Sequence, residues 1–121
     1  MRLLLVEDAA DIRDVFTVLL NAEGAEVMTA ATGREAIRLA TSHIFDVVLT
    51  DLGLPDVPGD VVIHHIAAAR HRPWIVVMTG YGEPFVGRAR QAGADVALTK
   101  PIVWEWVLDR LDTMVSSRRA A

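Results

Sequence analysis

The fold is decided by the stretch Val47-Val48-Leu49-Thr50-Asp51-Leu52-Gly53-Leu54-Pro55 in the middle of the chain. Its first four residues are mostly apolar and β-branched and do not alternate with charged residues. Such runs are typical of strands that are buried on both faces, as in a parallel sheet covered by helices. A carboxylate, Asp51, and then a Gly- and Pro-containing turn follow the run. The pattern predicts a central strand that ends in an acidic residue.

Four further segments of the same kind predict strands on either side of this one. They are Leu3–Val6, Val27–Thr29, Trp74–Thr79 and Val96–Leu98. The longer segments between and after them carry apolar residues at helical spacing. Strand and helix therefore alternate five times along the chain. This order predicts right-handed crossovers and a doubly wound α/β fold with a five-stranded parallel sheet and five helices.

The first and last predicted helices each carry one apolar face. The first runs from Asp11 to Glu23 and is expected to stop at Gly24. The last begins near Val103. We expect the buried face of the first helix to consist of Ile12, Val15, Phe16, Leu19 and Leu20, and that of the last to consist of Trp104, Val107, Leu108, Leu111 and Val115.

The three middle helices are predicted mainly from their ends. Thr32 is a suitable N-cap for the second helix. The third is expected over Gly59 to Arg70, because Pro73 prevents much extension. Pro84 suits the first turn of a short fourth helix that ends before Gly93.

The composition of the 121 residues excludes several classes of protein. Hydrophobic residues make up 52% and charged residues 23%, which indicates a globular chain. The absence of cysteine excludes a disulfide scaffold, a thiolate zinc site and a cysteine nucleophile. The net charge is −4 and the basic residues are scattered, so we expect no nucleic-acid-binding surface.

The chain also lacks a segment that would span a membrane. The longest apolar run, Trp74–Met78, has five residues, and a span needs about 20. The apolar start of the chain ends at Glu7-Asp8, so we reject a signal peptide and expect a cytoplasmic protein without membrane contact. We expect one domain over residues 1–121, with 116–121 as a flexible tail or the start of a linker.

Chemically useful side chains follow four of the five predicted strands. In an open parallel sheet, ligands bind beyond the carboxyl ends of the strands. Glu7 and Asp8 follow the first strand, Asp51 ends the third, Thr79 ends the fourth and Lys100 follows the fifth. We therefore expect three carboxylates, a hydroxyl and an ammonium to meet at one edge of the sheet.

This set of groups suits phosphoryl transfer assisted by a divalent cation. Three crowded carboxylates repel one another, and Mg²⁺ relieves the repulsion because it prefers carboxylate oxygens and often bridges to phosphate. Lys100 can pair with a carboxylate or a phosphoryl oxygen. An aspartate can itself be the nucleophile and form an acyl phosphate. Asp51 is the natural choice because it lies on the central strand.

Four motifs in order resemble the receiver domain of two-component response regulators, as in chemotaxis regulators. They are Leu5-Val6-Glu7-Asp8, the segment from Val48 to Gly59, Val77-Met78-Thr79-Gly80-Tyr81-Gly82 and Leu98-Thr99-Lys100-Pro101. The resemblance covers essentially the whole chain. It implies a flavodoxin-like fold with strand order 2-1-3-4-5. It also implies a phosphoacceptor that receives its phosphoryl group from a histidine kinase or a histidine phosphotransfer protein.

The resemblance assigns a role to each matching residue. Asp51 would accept the phosphoryl group, Thr79 would bind it after transfer, and Lys100 would bridge to it. Asp8 would bind Mg²⁺ directly, Glu7 mostly through water, and the Lys100-Pro101 peptide would be cis. The metal ligands implied in this way are Glu7, Asp8, Asp51 and the backbone carbonyl of Gly53. The phosphorylated domain would then change its binding to a downstream effector protein or output domain.

One position departs from the family pattern. Many receivers carry Tyr or Phe three residues before the lysine, as a ring that swings inward upon activation, and this chain has Ala97 there. Tyr81, two residues after Thr79, is a candidate to replace part of that ring's role. A receiver without the ring could still switch through the Thr79 loop, because activation is a shift between populations.

Three histidines and two tryptophans are further candidates for functional residues. His64, His65 and His71 lack a completing cysteine or carboxylate, so we interpret them as surface residues. Trp104 belongs to the inner stripe of the last helix. Trp106 does not, and we predict that it anchors a partner or a homodimer contact.

The sequence is compatible with two alternative functions. Ala97 is compatible with an interaction or dimerisation module that works without phosphorylation. A small metal-dependent phosphatase would also use an aspartyl phosphate, but the chain has no cap segment, and Gly53 occupies the position where a second acid would be expected. We expect a signalling domain that dephosphorylates itself slowly, not a turnover enzyme, either as a single-domain regulator or as part of a longer protein such as a hybrid kinase.

Overall fold

Strands and helices alternate along the whole chain in the computed structural model. The structure describes residues 1–120, with side chains described as far as Ser117. The elements are β1 (Arg2–Val6), α1 (Ala10–Ala22), β2 (Glu26–Ala30), α2 (Gly33–Ser42), β3 (Val47–Asp51), α3 (Gly59–Ala67), β4 (Trp74–Thr79), α4 (Phe85–Ala92), β5 (Val96–Thr99) and α5 (Trp104–Ala120). All five predicted strands and all five predicted helices are present.

The sheet has the predicted order β2-β1-β3-β4-β5, and every neighbouring pair is parallel. The register pairs Val6 with Thr50 and Asp51 with Met78. Thr79 pairs with Thr99 at the far end of the sheet. The carboxyl ends of β1, β3, β4 and β5 therefore lie side by side at one edge.

Helices cover both faces of the sheet and bury one core layer on each. On one face, Leu4, Val6 and Val48 of the strands pack with buried residues of α2, α3 and α4. On the other face, Leu3, Leu5 and their neighbours pack with buried residues of α1 and α5. Adjacent strand residues point to opposite faces, so burial on both explains why the strands read as continuous apolar runs.

Most helix ends follow the predicted signals, and the end of α3 does not. Gly24 and Gly93 both have positive φ, +89° and +129°, which glycine adopts without steric cost. The hydroxyl of Thr32 accepts a hydrogen bond from the backbone N–H of Glu35 at 3.1 Å, as expected of an N-cap. α3 ends at Ala67, before the predicted Arg70, because the backbone N–H of Ala69 bonds to the carbonyl of Ile66 in a tighter turn.

The prediction for the buried face of α1 is wrong in part. Only Leu20 is fully buried, whereas Ile12 and Val15 are 38% and 58% exposed. Helical periodicity identifies which residues share a face, but not how far a neighbouring helix covers it. Phe16 contacts the ring of Trp104 in α5, with centroids 5.6 Å apart. The apolar residues nearer the start of α1 remain open to solvent.

α5 places its core residues close to the predicted stripe. Val107 and Leu111 are buried as expected, Trp104 is half-buried, and Met114 joins the core at the next turn. Helix α5 continues through residues 116–120, whereas Ala121 lies outside the described residues, so the tail at 116–121 stays a prediction. Within the described part of the chain, no helix has the length and apolar character needed to cross a bilayer.

Candidate functional site

The predicted site residues come together where four neighbouring strands end. β1 leads into Glu7 and Asp8, β3 ends at Asp51, β4 ends at Thr79, and β5 is followed by Lys100. Because β1, β3, β4 and β5 are consecutive in the sheet, their ends form one continuous acidic edge with a single ammonium. β2, the outer strand, supplies none of these side chains.

Asp51 is held from both sides. Its side chain is largely buried. Oδ2 lies 2.7 Å from Nζ of Lys100, and Oδ1 accepts a hydrogen bond from the backbone N–H of Gly53 at 3.0 Å. The carboxylate is thus fixed in orientation by a charged donor and a backbone donor.

Lys100 is tied to the site through its side chain and its backbone. Its pKa is raised, first because it donates a hydrogen bond to Asp51 and also because the charges of Asp51, Glu7 and Asp8 lie nearby. Its backbone N–H donates to the carbonyl of Thr79 at 2.8 Å. The Lys100-Pro101 peptide is cis, as the resemblance implied, and so is Glu83-Pro84.

Thr79 is fully buried at the end of β4. Its hydroxyl accepts a hydrogen bond from the backbone N–H of Tyr81 at 2.9 Å. Among the described residues, no hydrogen bond joins Thr79 to Asp51. The hydroxyl is therefore an acceptor within its own loop, and its O–H stays available to donate to a further group.

Glu7 and Asp8 differ in their surroundings. Glu7 is 2% exposed, whereas Asp8 is open to solvent. Burial raises the pKa of Glu7, and the hydrogen bond with the Asp8 side chain and the charge of Asp51 raise it further. The backbone N–H of Ala9 and the charge of Lys100 oppose this rise. The carboxylates thus share one strongly negative edge.

The three acids do not form a ready ligand cage. Within the described part of the chain, no three His, Cys, Asp or Glu side chains are grouped closely enough to hold a metal ion. Asp51 is bonded to Lys100 and Gly53, whereas Oε2 of Glu7 accepts a hydrogen bond from the backbone N–H of Ala9. The predicted residues therefore lie at one edge, with Asp51 and Lys100 bonded to each other and Glu7 and Asp8 beside them.

Tyr81 and Ala97 occupy the positions at which the chain departs from the family pattern. Tyr81 is about half exposed and contacts the Phe85 ring, with centroids 5.2 Å apart. A Cβ added to Gly53 would lie 3.7 Å from both Cε2 and Oη of Tyr81, so this ring flanks the acceptor loop. Ala97 is half-buried and lines a hollow of about 240 Å³ beside Trp106.

Two residues that sequence reasoning missed bind the loops around the site. Nη1 of Arg13 donates to the backbone carbonyl of Glu7 at 2.9 Å and to that of Asp8 at 3.4 Å. The carboxylate of Asp56 accepts from the backbone N–H groups of Gly33 and Arg34 at 2.8 and 3.0 Å. Both are contacts between a side chain and the backbone, for which the sequence carries no periodic signal.

A family model for the response regulator receiver domain matches residues 3–112 of the chain. The chain belongs to this family. The transcriptional regulatory protein KdpE of Mycobacterium tuberculosis is 36% identical over 118 residues, which cover 98% of this chain and 52% of KdpE. The receiver chain thus spans about half the length of the curated relatives it matches.

Two solved receivers have the same fold as this one. A receiver domain protein from Methanospirillum hungatei JF-1 superposes with a TM-score of 0.92 at 27% identity, covering 99% of this chain and 98% of that protein. The receiver domain of the sensor histidine kinase PA1611 from Pseudomonas aeruginosa PAO1 superposes with a TM-score of 0.88 at 27% identity, covering 95% and 97%. The PA1611 receiver has a magnesium ion in its active site cleft.

Proposed function

We propose that this receiver accepts a phosphoryl group on Asp51 from the phosphohistidine of a histidine kinase or a phosphotransfer protein. The observation that carries the proposal is the placement of the Asp51 carboxylate between Nζ of Lys100 and the backbone N–H of Gly53. These contacts orient the carboxylate for attack, and orientation with charge neutralisation is most of what phosphoryl transfer requires.

The transfer forms one bond and breaks another. An Asp51 oxygen attacks phosphorus, the phosphorus–nitrogen bond of the donor breaks, and the leaving imidazole takes up a proton. The product is an acyl phosphate on Asp51. The Lys100 ammonium, freed from the carboxylate oxygen, would pair with a phosphoryl oxygen, and the Thr79 hydroxyl would donate its O–H to another.

The donors at this edge fit Mg²⁺ by their chemistry. The cation prefers carboxylate and carbonyl oxygens and keeps some of its water, so the implied ligands are Glu7, Asp8, Asp51 and the Gly53 carbonyl. The raised pKa of Glu7 supports the fit, because a buried carboxylate short of positive charge is relieved by a cation. When bound, the ion would neutralise charge on the phosphoryl oxygens. The magnesium in the PA1611 receiver supports this proposal.

Phosphorylation would act by changing which partners bind. Receivers are signalling domains, and the curated relatives that this chain matches over about half their length include transcriptional regulators. We propose a downstream effector or output domain as the second partner, a homodimer through Trp106, and slow loss of the phosphoryl group to water in place of enzymatic turnover. The cytoplasmic location and the absence of nucleic-acid binding stay predictions.

A second function has one observation in its favour. Ala97, at the position where many receivers carry the switching ring, lines a hollow of about 240 Å³. A domain that binds its partner without phosphorylation would not need that ring. Phosphoryl uptake separates the two functions, because only the first requires covalent uptake at Asp51.

The test is uptake from a small acyl phosphate. The protein is incubated with Mg²⁺ and acetyl phosphate, and intact mass with peptide mapping locates any added phosphoryl group. We expect one group on the wild type, none on Asp51→Asn, and retained uptake in Asp60→Asn, a nearby acid on α3. A wild type that gains no mass under these conditions would contradict the proposal and favour the phosphorylation-independent module.

A further inference from the structure

Arg13 holds the loop that carries two of the proposed metal ligands. It lies in α1 and is half-buried. A single guanidinium nitrogen, Nη1, donates to the carbonyl oxygens of Glu7 and Asp8 at 2.9 and 3.4 Å. Two consecutive peptide groups therefore have their planes fixed by one rigid, directional donor. The direction of each peptide plane in turn sets where the attached side chain can point.

The guanidinium binds the backbone and leaves the carboxylates without a basic partner. Over residues 1–117, the ion pairs are Arg2–Glu26, Arg72–Asp95 and Lys100–Asp51, and none of them includes Glu7 or Asp8. An arginine bound to either carboxylate would compete with a cation for the same oxygens. Arg13 orders the loop without occupying the carboxylate oxygens that a cation needs.

Besides Arg13, this loop is held by a hydrogen bond from the backbone N–H of Glu7 to the carbonyl of Ala30 at 3.0 Å, which does not reach Asp8. Ala9 is the N-cap residue of α1 and has no side chain that could cap the helix. The backbone N–H of Ala9 donates to Oε2 of Glu7 at a long 3.4 Å. Because this bond occupies a carboxylate oxygen that would ligate the metal, the Ala9 N–H would compete with the cation for Glu7. The Arg13 contacts do not have this conflict.

We infer that Arg13 is a positioning residue that sets the loop between β1 and α1 so that Glu7 and Asp8 present their carboxylates to a divalent cation. The inference rests on the proposed function in that it requires a cation at this edge. Partners that orient metal ligands typically contribute about 10- to 100-fold to metal affinity.

The test measures Mg²⁺ affinity by calorimetry, with no phosphoryl donor present. Arg13→Gln is compared with the wild type, with Arg13→Lys and with Arg38→Gln, which removes an equal charge from an exposed position on α2. We expect affinity to fall about tenfold in Arg13→Gln, to recover in part in Arg13→Lys, and to stay near wild type in Arg38→Gln.

The charge change in Arg13→Gln and the proposed loss of orientation have opposite effects on Mg²⁺ affinity. Removing a positive charge near an acidic site would by itself strengthen cation binding. Weaker binding in Arg13→Gln therefore reports lost orientation. Unchanged or tighter Mg²⁺ binding in that variant would overturn the inference.

A second measurement separates positioning from a general loss of structure. Phosphoryl uptake is followed as a function of Mg²⁺ concentration. Arg13→Gln should need more Mg²⁺ but reach nearly the wild-type rate at saturation, and a lower maximal rate at an unchanged Mg²⁺ requirement would contradict the inference. If Arg13→Gln does not fold, Arg13→Lys replaces it, and a Mg²⁺ affinity of Arg13→Lys equal to that of the wild type would overturn the inference. A wild type that binds Mg²⁺ but takes up no phosphoryl group contradicts the proposed function alone.

Discussion

Nζ of Lys100 lies 2.7 Å from Oδ2 of Asp51, although 49 positions separate the two residues in the sequence. The contact joins the end of the central strand β3 to the segment that follows the edge strand β5. It also raises the pKa of the lysine. The pKa of the Lys100 ammonium therefore depends on the charge and bonding of the Asp51 carboxylate.

The reactivity of Lys100 should report on the state of Asp51. Lys100 is the sole lysine in the sequence, so an amine-directed acylating reagent labels this side chain and the N-terminus only. Asp51→Asn removes the first cause of the raised pKa, and we expect several-fold faster labelling of Lys100 because more of the free amine is present. Mass spectrometry follows the rate, with the Met1 amine as internal control. Equal rates in the two proteins would contradict a functional ion pair.

Glu7 should make the protein less stable as the pH rises. Its pKa lies above its usual 4.5, so the folded state binds this proton more tightly than the unfolded state, and stability falls as the pH rises from 4.5 through the raised value. We expect Glu7→Gln to gain thermal stability over the wild type at neutral pH and to lose that advantage near pH 4. Thermal melts without divalent cations measure this, with the exposed Glu23→Gln as control. A pH-independent difference would contradict it.

Asp56 should stabilise the start of α2 from a different loop. Its pKa is lowered because it accepts hydrogen bonds from the backbone N–H groups of Arg34 and Gly33. That stabilisation is present above 3.8, the usual pKa of the carboxyl, and is lost as the pH falls through the lowered value. Asp56→Ala should therefore lower the melting temperature at pH 7 more than at pH 3. A melting point equal to that of the wild type at pH 7 would be inconsistent with this capping role.

Gly59 should tolerate no larger residue. A Cβ at this position would lie 2.7 Å from both the Cα and the carbonyl oxygen of Leu52, whereas a Cβ at Gly82 would meet nothing within 4 Å. We expect Gly59→Ala to lower the free energy of unfolding by about 1–3 kcal/mol and Gly82→Ala to change it little. Urea denaturation of the two variants checks the difference, and similar values for both would rule out a steric role of Gly59.

Trp106 is the exposed aromatic for which we predicted an interface. Its side chain is 64% exposed, beside the hollow lined by Ala97. Trp106→Ala should weaken self-association or partner binding, whereas Val18→Ala, which removes an equally exposed apolar side chain from α1, should not. Light scattering after size-exclusion chromatography, before and after phosphorylation, compares them. An identical oligomeric state in all three proteins, with unchanged partner affinity, would dismiss the interface.

The sequence allowed the sheet and the site edge to be predicted because both depend on local patterns. Doubly buried strands are continuous apolar runs, and the residues that follow parallel strands necessarily share an edge. Asp51, Thr79 and Lys100 could therefore be placed together before any coordinates. The strand order came from the resemblance to receivers, and the structure confirms it.

What the sequence could not predict depends on contacts without a periodic signal. The exposure of Val15 depends on tertiary packing, which the periodicity of a single helix does not show. Arg13 donates to backbone carbonyls five and six positions before it, and Asp56 accepts from backbone N–H groups more than twenty positions away. Arginine and aspartate are also common on solvent-facing surfaces, so neither residue type predicts such a bond. The bond between the Thr79 hydroxyl and Tyr81 likewise depends on one side-chain rotation.

The order of the elements along the chain has a consequence for truncated forms of the protein. The acids and the hydroxyl of the site all precede β5, whereas the ammonium follows this last strand. A chain shortened before Lys100 would keep every acid of the edge but lose the cation bonded to Asp51.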